Sequence, residues 1–200
     1  RINKISIMQL SKDGQKVVGS KIFIPCDCLG ISGGWTPSVH LFTQSGGKLK
    51  FRDEDQVFIP NIYSSDQISV GSCNGDFTLD EIFSGTTKAL KSFLNIKNTE
   101  YENIEVESSF NKSKRNIWLL PSDKIIGKTK PFVDYQNDAT AKDIKLALRE
   151  GFRSIEHVKR YTTTGMGTDQ GKLGNMHALG IISETAGSKI GELGTTTFRP

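Results

Sequence analysis

The sequence lacks the features that mark membrane, secreted and nucleic-acid-binding proteins. No apolar run approaches the roughly 18 residues that a membrane span needs. Three cysteines are an odd number for a disulfide framework, and the N-terminus RINKISIMQL shows strand alternation where a signal peptide would have an apolar core. The net charge is only +4, with Lys and Arg spread along the chain. We therefore expect a cytoplasmic protein that binds neither membrane nor nucleic acid.

Two signatures of common cofactor and metal sites are also missing. No strand pattern is followed by G-x-G-x-x-G, so the main pyrophosphate site of a Rossmann half is absent. Cys26-x-Cys28 offers two thiols where zinc needs four ligands, and the nearest others, His40 and Cys73, belong to separate elements. We expect no metal site and interpret these thiols as structural. The spacing of the three histidines assembles no Ser, His and acid set, so no catalytic residue is predicted.

The first quarter of the chain predicts a β-hairpin that leads to paired glycines. Residues 2–10 alternate apolar and polar side chains, Asp13-Gly14 is a strong hairpin signal, and residues 17–24 form the return strand. The chain then reaches Gly33 and Gly34, where small residues let the backbone approach a cofactor closely. Paired glycines are just as common in plain turns, so both interpretations stay open.

A second strand-to-helix passage follows. Residues 67–70 predict a strand, small residues make a turn, and Leu79, Ile82, Phe83 and Ala89 give a helix with one apolar face. Free N–H groups and the helix dipole at such a start favour a phosphate or a ribose, although an ordinary βα connection is the alternative. The residues of the candidate turn are Gly71, Ser72, Gly75 and Thr78.

Residues 132–187 predict three short helices around a glycine-rich loop. Thr140 and Asp143 form a capping box for the first helix, which ends at Gly151. The second begins near Ser154, and the third runs from about Asn175 to a C-cap at Gly187. Their inward residues are predicted to be Ile144, Ala147, Leu148, Ile155, Val158, Tyr161, Met176, Leu179, Ile182 and Ala186. The loop has backbone N–H groups able to face a ligand or partner, at Gly165, Gly167, Gly171 and Gly174.

Cations and hydroxyl groups beside that loop suit a phosphate. Arg160, Thr162, Thr163 and Lys172 could supply charge-assisted hydrogen bonds, which are about twice as strong as neutral ones. The alternative is a solvated helix end whose cations offset the C-terminal dipole. Between the two halves, residues 96–130 are mostly polar and predict a linker, in which Ile117 to Leu120 form a short apolar strand or docking segment.

The segment FVDYQNDATAKDIKLALREGFRSIEHVKRYTTTGMGTDQGKLGN, with TTTFRP at residues 195–200, resembles the α subunit of heterotetrameric sarcosine oxidases just before its folate-binding, aminomethyltransferase-like domain. The segments GISGGWTPSVHLFTQSGGKLKF and ISVGSCNGDFTLDEIFSGTTKAL resemble the end of the two-dinucleotide oxidoreductase fold in the same subunit. The resemblance implies an α/β fragment in four parts. These are a partial FAD/NAD(P)-binding domain at 1–95, a linker and docking strand at 96–130, a helical module at 131–190 and the start of a connection to the folate domain at 191–200.

The helical module is similar to bacterioferritin-associated ferredoxins, in which four cysteines hold a [2Fe-2S] cluster. On that pattern the cysteine positions fall on Asp134, Gln136, Asp169 and Gly174, none of which is a thiol. The resemblance therefore implies a module without a cluster.

The family oxidises sarcosine at an FAD on the β subunit, passes electrons to an FMN at the α/β interface and then to oxygen, and holds NAD and tetrahydrofolate in the α subunit. This implies β, γ and δ subunits as partners and makes the turn residues Gly33, Gly34, Gly71, Ser72, Gly75 and Thr78 a partial NAD site. In many relatives an acid occupies the position of Ser72. The FMN phosphate would lie near Arg160, Thr162, Thr163 and Lys172. Two alternatives stay open: an α subunit of a proline, hydroxyproline or opine dehydrogenase, and a noncatalytic assembly module.

Overall fold

A computed structural model describes residues 1–64, 66–97, 106, 116–122 and 128–195. The chain divides into two compact units that are discontinuous in sequence. Residues 1–34 and 117–189 form the first unit, and residues 35–116 and 190–200 form the second. Within the described ranges, every helix falls short of the length and hydrophobicity that a membrane crossing needs. Most of the predicted linker, and residues 196–200, lie outside the described residues.

The first unit begins with the predicted hairpin, which is confirmed. Strands β1 (Lys4–Leu10) and β2 (Val17–Pro25) pair antiparallel, and the register shifts at a bulge between Ile7 and Gln9. The Asp13 carboxylate accepts the Gln15 N–H at 3.1 Å within the turn. Residues 26–39, which include the paired glycines Gly33 and Gly34, then follow without regular structure.

The helical part of the first unit matches the prediction closely. Strands β5 (Phe132–Asp134) and β6 (Ala139–Thr140) form a short hairpin before α3 (Ala141–Arg149), α4 (Ile155–Thr162) and α5 (Asn175–Ala186). The capping box at Thr140 and the left-handed C-cap at Gly187 are confirmed. The core is made of fully buried side chains from all three helices: Ile144, Val158, Leu179, Ile181 and Ile182.

Three of the predicted inward residues are placed differently. Tyr161 is 46% exposed, and its ring packs on Phe152 in a tilted arrangement, with ring centroids 4.9 Å apart and an interplanar angle of 42°. Met176 and Ala186 are only half-buried, since they lie at the two ends of α5.

Residues 117–120 dock on the helical part without forming a strand. The indole of Trp118 lies on α5 at Gly180, where a Cβ would come within 2.6 Å of Trp118 Cε2. The same ring meets His177 edge-on, with centroids 6.1 Å apart. The segment thus packs against α5, and glycine is required at this point of the helix because the ring occupies the place of its side chain.

The second unit contains α1 (His40–Gln44), the hairpin β3 (Lys48–Arg52) and β4 (Val57–Ile62), a 3₁₀ helix (Gly71–Asn74), α2 (Leu79–Phe93) and α6 (Ile190–Leu193). Its core includes Val39, Phe42, Val57, Phe58, Ile59 and Ile190. The predicted strand at 67–70 is wrong: these residues have no regular structure and pair with no strand among those described, and they lead through the extended Val70 directly into the 3₁₀ helix. An extended segment forms a strand only where a neighbouring strand offers a ladder.

Candidate functional site

Two loops of the first unit meet at the carboxylate of Asp134. One oxygen, Oδ1, accepts the N–H groups of Gln136 at 2.8 Å and Asn137 at 3.1 Å. The other, Oδ2, accepts Asn137 Nδ2 at 3.1 Å and the backbone N–H of Gly165 at 2.7 Å. Burial alone raises the pKa of this carboxyl, but the hydrogen bonds, led by that of Gly165, outweigh it and hold the pKa below the ordinary aspartate value. Asp134 is thus an ionised carboxylate, only 7% exposed, that joins the β5–β6 turn to the glycine loop at residues 163–174.

Two further side chains hold the same loop. Gln136 Oε1 accepts the backbone N–H of Thr168 at 2.6 Å and its hydroxyl at 3.0 Å. The Asp169 carboxylate accepts the N–H groups of Gly171 at 3.2 Å and Leu173 at 3.4 Å. Of the four positions where the resemblance to ferredoxins would place cluster cysteines, three therefore carry oxygen acceptors that bind backbone N–H groups of the loop.

The glycines of the loop are explained by close contacts within the chain. At each one, a Cβ would collide with a neighbouring group. Gly165 and Gly171 face the Asn175 side chain, Gly167 faces the Gln136 side chain, and Gly174 faces the Val133 carbonyl oxygen, which lies 2.6 Å from its Cβ position. The expectation that the loop offers its N–H groups to an outside ligand is therefore weakened, because those of Gly165, Thr168, Gly171 and Leu173 are bound internally.

The candidate phosphate residues are divided between a helix end and the loop. Arg160 donates to Glu156 Oε2 at 2.7 Å and to the Glu156 carbonyl at 2.8 Å. Thr162 donates to the Val158 carbonyl at 2.7 Å, and Thr163 caps α4 in a left-handed conformation with its hydroxyl on the Thr162 carbonyl. These three side chains complete the C-terminal turn of α4, whose dipole repels an anion.

Lys172 is the fourth candidate, and its side chain is exposed on the loop. No hydrogen bond or ion pair found among the described residues joins it to Arg160, Thr162 or Thr163. The four residues do not form a preassembled phosphate pocket, and the solvated helix end is the interpretation that the α4 contacts favour.

Four dinucleotide candidates lie in the second unit, and the helix start among them is already capped. Thr78 Oγ1 accepts the Glu81 N–H, while Glu81 Oε2 accepts the N–H groups of Phe77 and Thr78, all at 3.2 Å. Asp80 and Glu81 add negative charge to the first turn of α2. A phosphate would have to displace this capping box and approach two carboxylates, so the residues at this start do not fit an anion site. The capping pattern Thr78-x-x-Glu81 is visible in the sequence and predicts this outcome.

Gly75 has a packing role that depends on Arg52, a residue that sequence reasoning missed. The Arg52 guanidinium donates to the Gly75 carbonyl at 2.6 Å and pairs with both carboxylate oxygens of Asp55, through Nε at 2.8 Å and through Nη2. The hydrogen bond to Asp55 raises the pKa of Arg52, so it stays cationic. A Cβ at Gly75 would lie 2.7 Å from Nη2. Nothing in the local sequence indicates this contact, since the two residues are 23 positions apart.

The remaining dinucleotide candidates, Gly33 and Gly34, belong to the first unit and are exposed. A Cβ on Gly33 would lie 3.9 Å from His177 Cε1, and Gly34 has open space around it. Both positions therefore have room for a ligand. Within the described part of the chain, no three His, Cys, Asp or Glu side chains are grouped so that they could hold a metal ion.

Comparison with known proteins decides the family. The profile of the sarcosine oxidase A3 domain matches residues 128–200, which include both loops around Asp134. The α subunit of sarcosine oxidase from Rhizobium meliloti (strain 1021) is 37% identical over 88% of this chain. The corresponding subunit from Corynebacterium sp. (strain U-96) is 32% identical over 97% of it.

The chain is a relative of one segment of the sarcosine oxidase α subunit. The resemblance to this subunit that the sequence indicated is thereby confirmed. The match covers 18% of the Rhizobium subunit and 21% of the Corynebacterium subunit, so the chain spans about a fifth of the length of these relatives.

The fold of this sarcosine oxidase relative resembles a solved structure, the L-proline dehydrogenase from P. horikoshii. The TM-score is 0.59 at 18% identity, and the superposition covers 92% of this chain and 39% of the dehydrogenase chain. At this identity the similarity concerns the fold alone. It agrees with the expected mixture of helices and strands.

Proposed function

We propose that this chain is the part of a sarcosine oxidase α subunit that links a dinucleotide-binding domain to a folate-binding domain. The observation that carries this proposal is the similarity to sarcosine oxidase α subunits along 88–99% of the chain, including the A3 domain. The proposed divisions at 1–95, 96–130, 131–190 and 191–200 follow the order of the domains in the family's sequence. The two compact units instead group residues that pack together. Residues 1–34 pack in the same unit as the helices although they belong to the first division.

The proposed reaction of the whole enzyme is the oxidative demethylation of sarcosine to glycine. The one-carbon unit passes to tetrahydrofolate, and oxygen is reduced to hydrogen peroxide. We propose that the β subunit carries FAD, that an FMN lies at the α/β interface, and that γ and δ subunits complete the complex. When bound, the flavins supply the two-electron chemistry. We assign no catalytic residue to this chain, whose role is to position neighbouring domains and to contribute to the interface.

The helical module is proposed to be a clusterless relative of the ferredoxin-like fold. Support comes from the contacts of the loops, because Asp134 and Gln136 tie the β5–β6 turn to the glycine loop through backbone N–H groups. Such a network joins the two segments through protein atoms alone. The module can then serve as a rigid docking element for a partner subunit.

For the NAD site, we retain Gly33 and Gly34 as candidates, since both are exposed and have room around them. Gly71, Ser72, Gly75 and Thr78 are weaker candidates, because the capping box and the Arg52 contact already engage the helix start and Gly75. NAD binding by the complete α subunit therefore needs groups beyond these residues.

For the FMN phosphate, Lys172 is the strongest candidate of the four. Arg160 is held by Glu156, and the hydroxyls of Thr162 and Thr163 bond to the end of α4. In the assembled complex, Lys172→Ala should raise the FMN dissociation constant roughly 10- to 150-fold, which corresponds to the loss of about 1.5–3 kcal/mol from one charged hydrogen bond. Arg160→Ala should have a smaller effect because Glu156 already compensates its charge.

The test of the site is FMN retention in the purified complex, with Lys189→Ala as the matched control because Lys189 is an exposed lysine of the same unit. Equal FMN content in Lys172→Ala, Lys189→Ala and the unmodified complex would contradict the phosphate assignment. The test of the enzyme is sarcosine-dependent formation of glycine and hydrogen peroxide by the coexpressed subunits.

The second candidate function is that of a proline dehydrogenase α subunit, favoured by the fold similarity to the P. horikoshii enzyme. The same complex should then oxidise L-proline in preference to sarcosine. Comparison of kcat/KM for the two amines distinguishes the functions, and turnover of proline alone would reject the sarcosine proposal.

A further inference from the structure

We propose that the β5–β6 turn and the glycine loop together form a carboxylate-binding site that the chain fills with its own Asp134, and that this site accepts formate when the Asp134 side chain is shortened. Three of the four donors lie in the turn that follows Asp134, at Gln136 and Asn137, and the fourth is the N–H of Gly165, 31 positions away. Formate has the same planar CO₂⁻ group as the aspartate side chain and lacks only the link to the backbone.

The donor geometry matches a planar carboxylate. Each oxygen of Asp134 receives two N–H donors, at 2.8 and 3.1 Å on Oδ1 and at 3.1 and 2.7 Å on Oδ2. The four hydrogen bonds come from neutral donors, namely three backbone N–H groups and the Asn137 amide. Backbone N–H groups that converge on one point form an anion-binding concavity, as in phosphate-binding loops. Here the anion is part of the protein.

The conformation of the loop keeps one of these donors aimed at Asp134. Gly165 has a φ of 72°, which side-chain-bearing residues seldom adopt, and a Cβ there would collide with Asn175 Oδ1. Only glycine therefore fits at this position, from which its N–H reaches the carboxylate at 2.7 Å. Asn175 is itself only 6% exposed, so this support is part of the packed interior.

The site discriminates a carboxylate from an amide of the same shape. Both oxygen positions face two donors, so an amide in either orientation directs its NH₂ group towards donors. Formamide is therefore a matched probe for formate, because the two molecules are similar in size and planarity and differ in charge and in one acceptor. Selectivity for formate over formamide separates a specific site from a general solvent effect.

The experiment is a chemical rescue of the full chain carrying Asp134→Ala, which keeps the Cβ and removes the CO₂⁻ group. Thermal unfolding is followed at increasing sodium formate, with sodium chloride and formamide at equal concentrations as references. Glu184→Ala removes an exposed carboxylate from the same unit and is the control variant. We expect the melting temperature of Asp134→Ala to fall below that of the unmodified chain and to rise saturably with formate. For the unmodified chain and for Glu184→Ala, formate should raise the melting temperature no more than chloride does.

A second measurement uses the amide signals in ¹H–¹⁵N NMR spectra, and its first part needs only the unmodified chain. In the unmodified chain, the Gly165 signal should show the downfield proton shift of an N–H bound to a carboxylate. In Asp134→Ala it should move upfield, and formate should return it. The proposal is overturned if formate acts no better than chloride or formamide on Asp134→Ala. It is also overturned if the Gly165 signal of the unmodified chain lacks the downfield shift.

Discussion

Trp118 and Gly180 make a sharp test of how the segment at 116–122 docks on the helical part. A Cβ at Gly180 would lie 2.6 Å from Trp118 Cε2 and closer still to Cγ and Cδ2. Real Cβ atoms do not approach carbon so closely, so Gly180→Ala must displace either the indole ring or the helix. The neighbouring residues Leu179 and Ile181 are buried in the core, which opposes a movement of α5. We therefore expect the ring to leave.

Two opposing free-energy contributions set the size of the stability change that Gly180→Ala causes. Alanine in a helix interior is more favourable than glycine by about 1 kcal/mol, because glycine loses more backbone entropy. The half-buried indole removes roughly 100 Å² from water, about half of the area that a Trp side chain can bury, which is about 2.5 kcal/mol at 25 cal/mol per Å². The net expectation is that Gly180→Ala destabilises the first unit by about 1.5 kcal/mol.

In a double-mutant cycle with Trp118→Ala, we expect the effect of Gly180→Ala on stability to change sign. Without the indole, the three atoms nearest to the new Cβ are removed, so Gly180→Ala should then stabilise the unit by about 1 kcal/mol. Urea unfolding of all four variants, monitored by far-UV circular dichroism, gives the coupling energy, expected to be about 2.5 kcal/mol. The emission of Trp118 in a Trp35→Phe background should shift to longer wavelength in Gly180→Ala. If Gly180→Ala has the same sign in both backgrounds, the docking of Trp118 on α5 is refuted.

Three further predictions concern the polar contacts. Asp134→Asn should destabilise the first unit by about 3 kcal/mol near neutral pH, because two of four donors lose their acceptor. The lowered pKa of Asp134 stabilises the fold above the unfolded value of about 3.9, and this stability is lost as pH falls through the folded value. When the free energy of unfolding is measured as a function of pH, only the unmodified chain should show this loss of stability in acid. An equal loss in Asp134→Asn would contradict the assignment. Thr78→Ala should cost about 1 kcal/mol of second-unit stability by removing a cap, measured by thermal unfolding, and no loss would mean that Thr78 is available for a ligand. Gly75→Ala should lower the free energy of unfolding by at least about 2 kcal/mol, and the loss should be smaller in an Arg52→Ala background. Equal losses with and without Arg52 would reject the contact between Arg52 and Gly75.

The helices of the first unit could be predicted because their signals are local. The capping box at Thr140, the apolar positions of α3 and the terminal glycine at Gly187 each lie within a few residues of the structure that they produce. The hairpin at residues 4–25 follows from alternation and a turn in the same way. The strand predicted at 67–70 failed because a strand needs a partner, and short-range patterns carry no information about which segment will be adjacent.

The glycine loop shows a different limit of sequence reasoning. Glycines and N–H donors in a row are typical of ligand loops, and the pattern is the same whether the acceptor is a cofactor or a side chain of the protein. What separates the two cases is the position of Asp134, Gln136 and Asn175, and two of these lie about 30 residues before the loop. Thr78 illustrates the opposite case, since Glu81 three residues later already indicates that the helix start is occupied. A glycine-rich segment therefore supports a ligand site only after the acceptors within the chain have been counted.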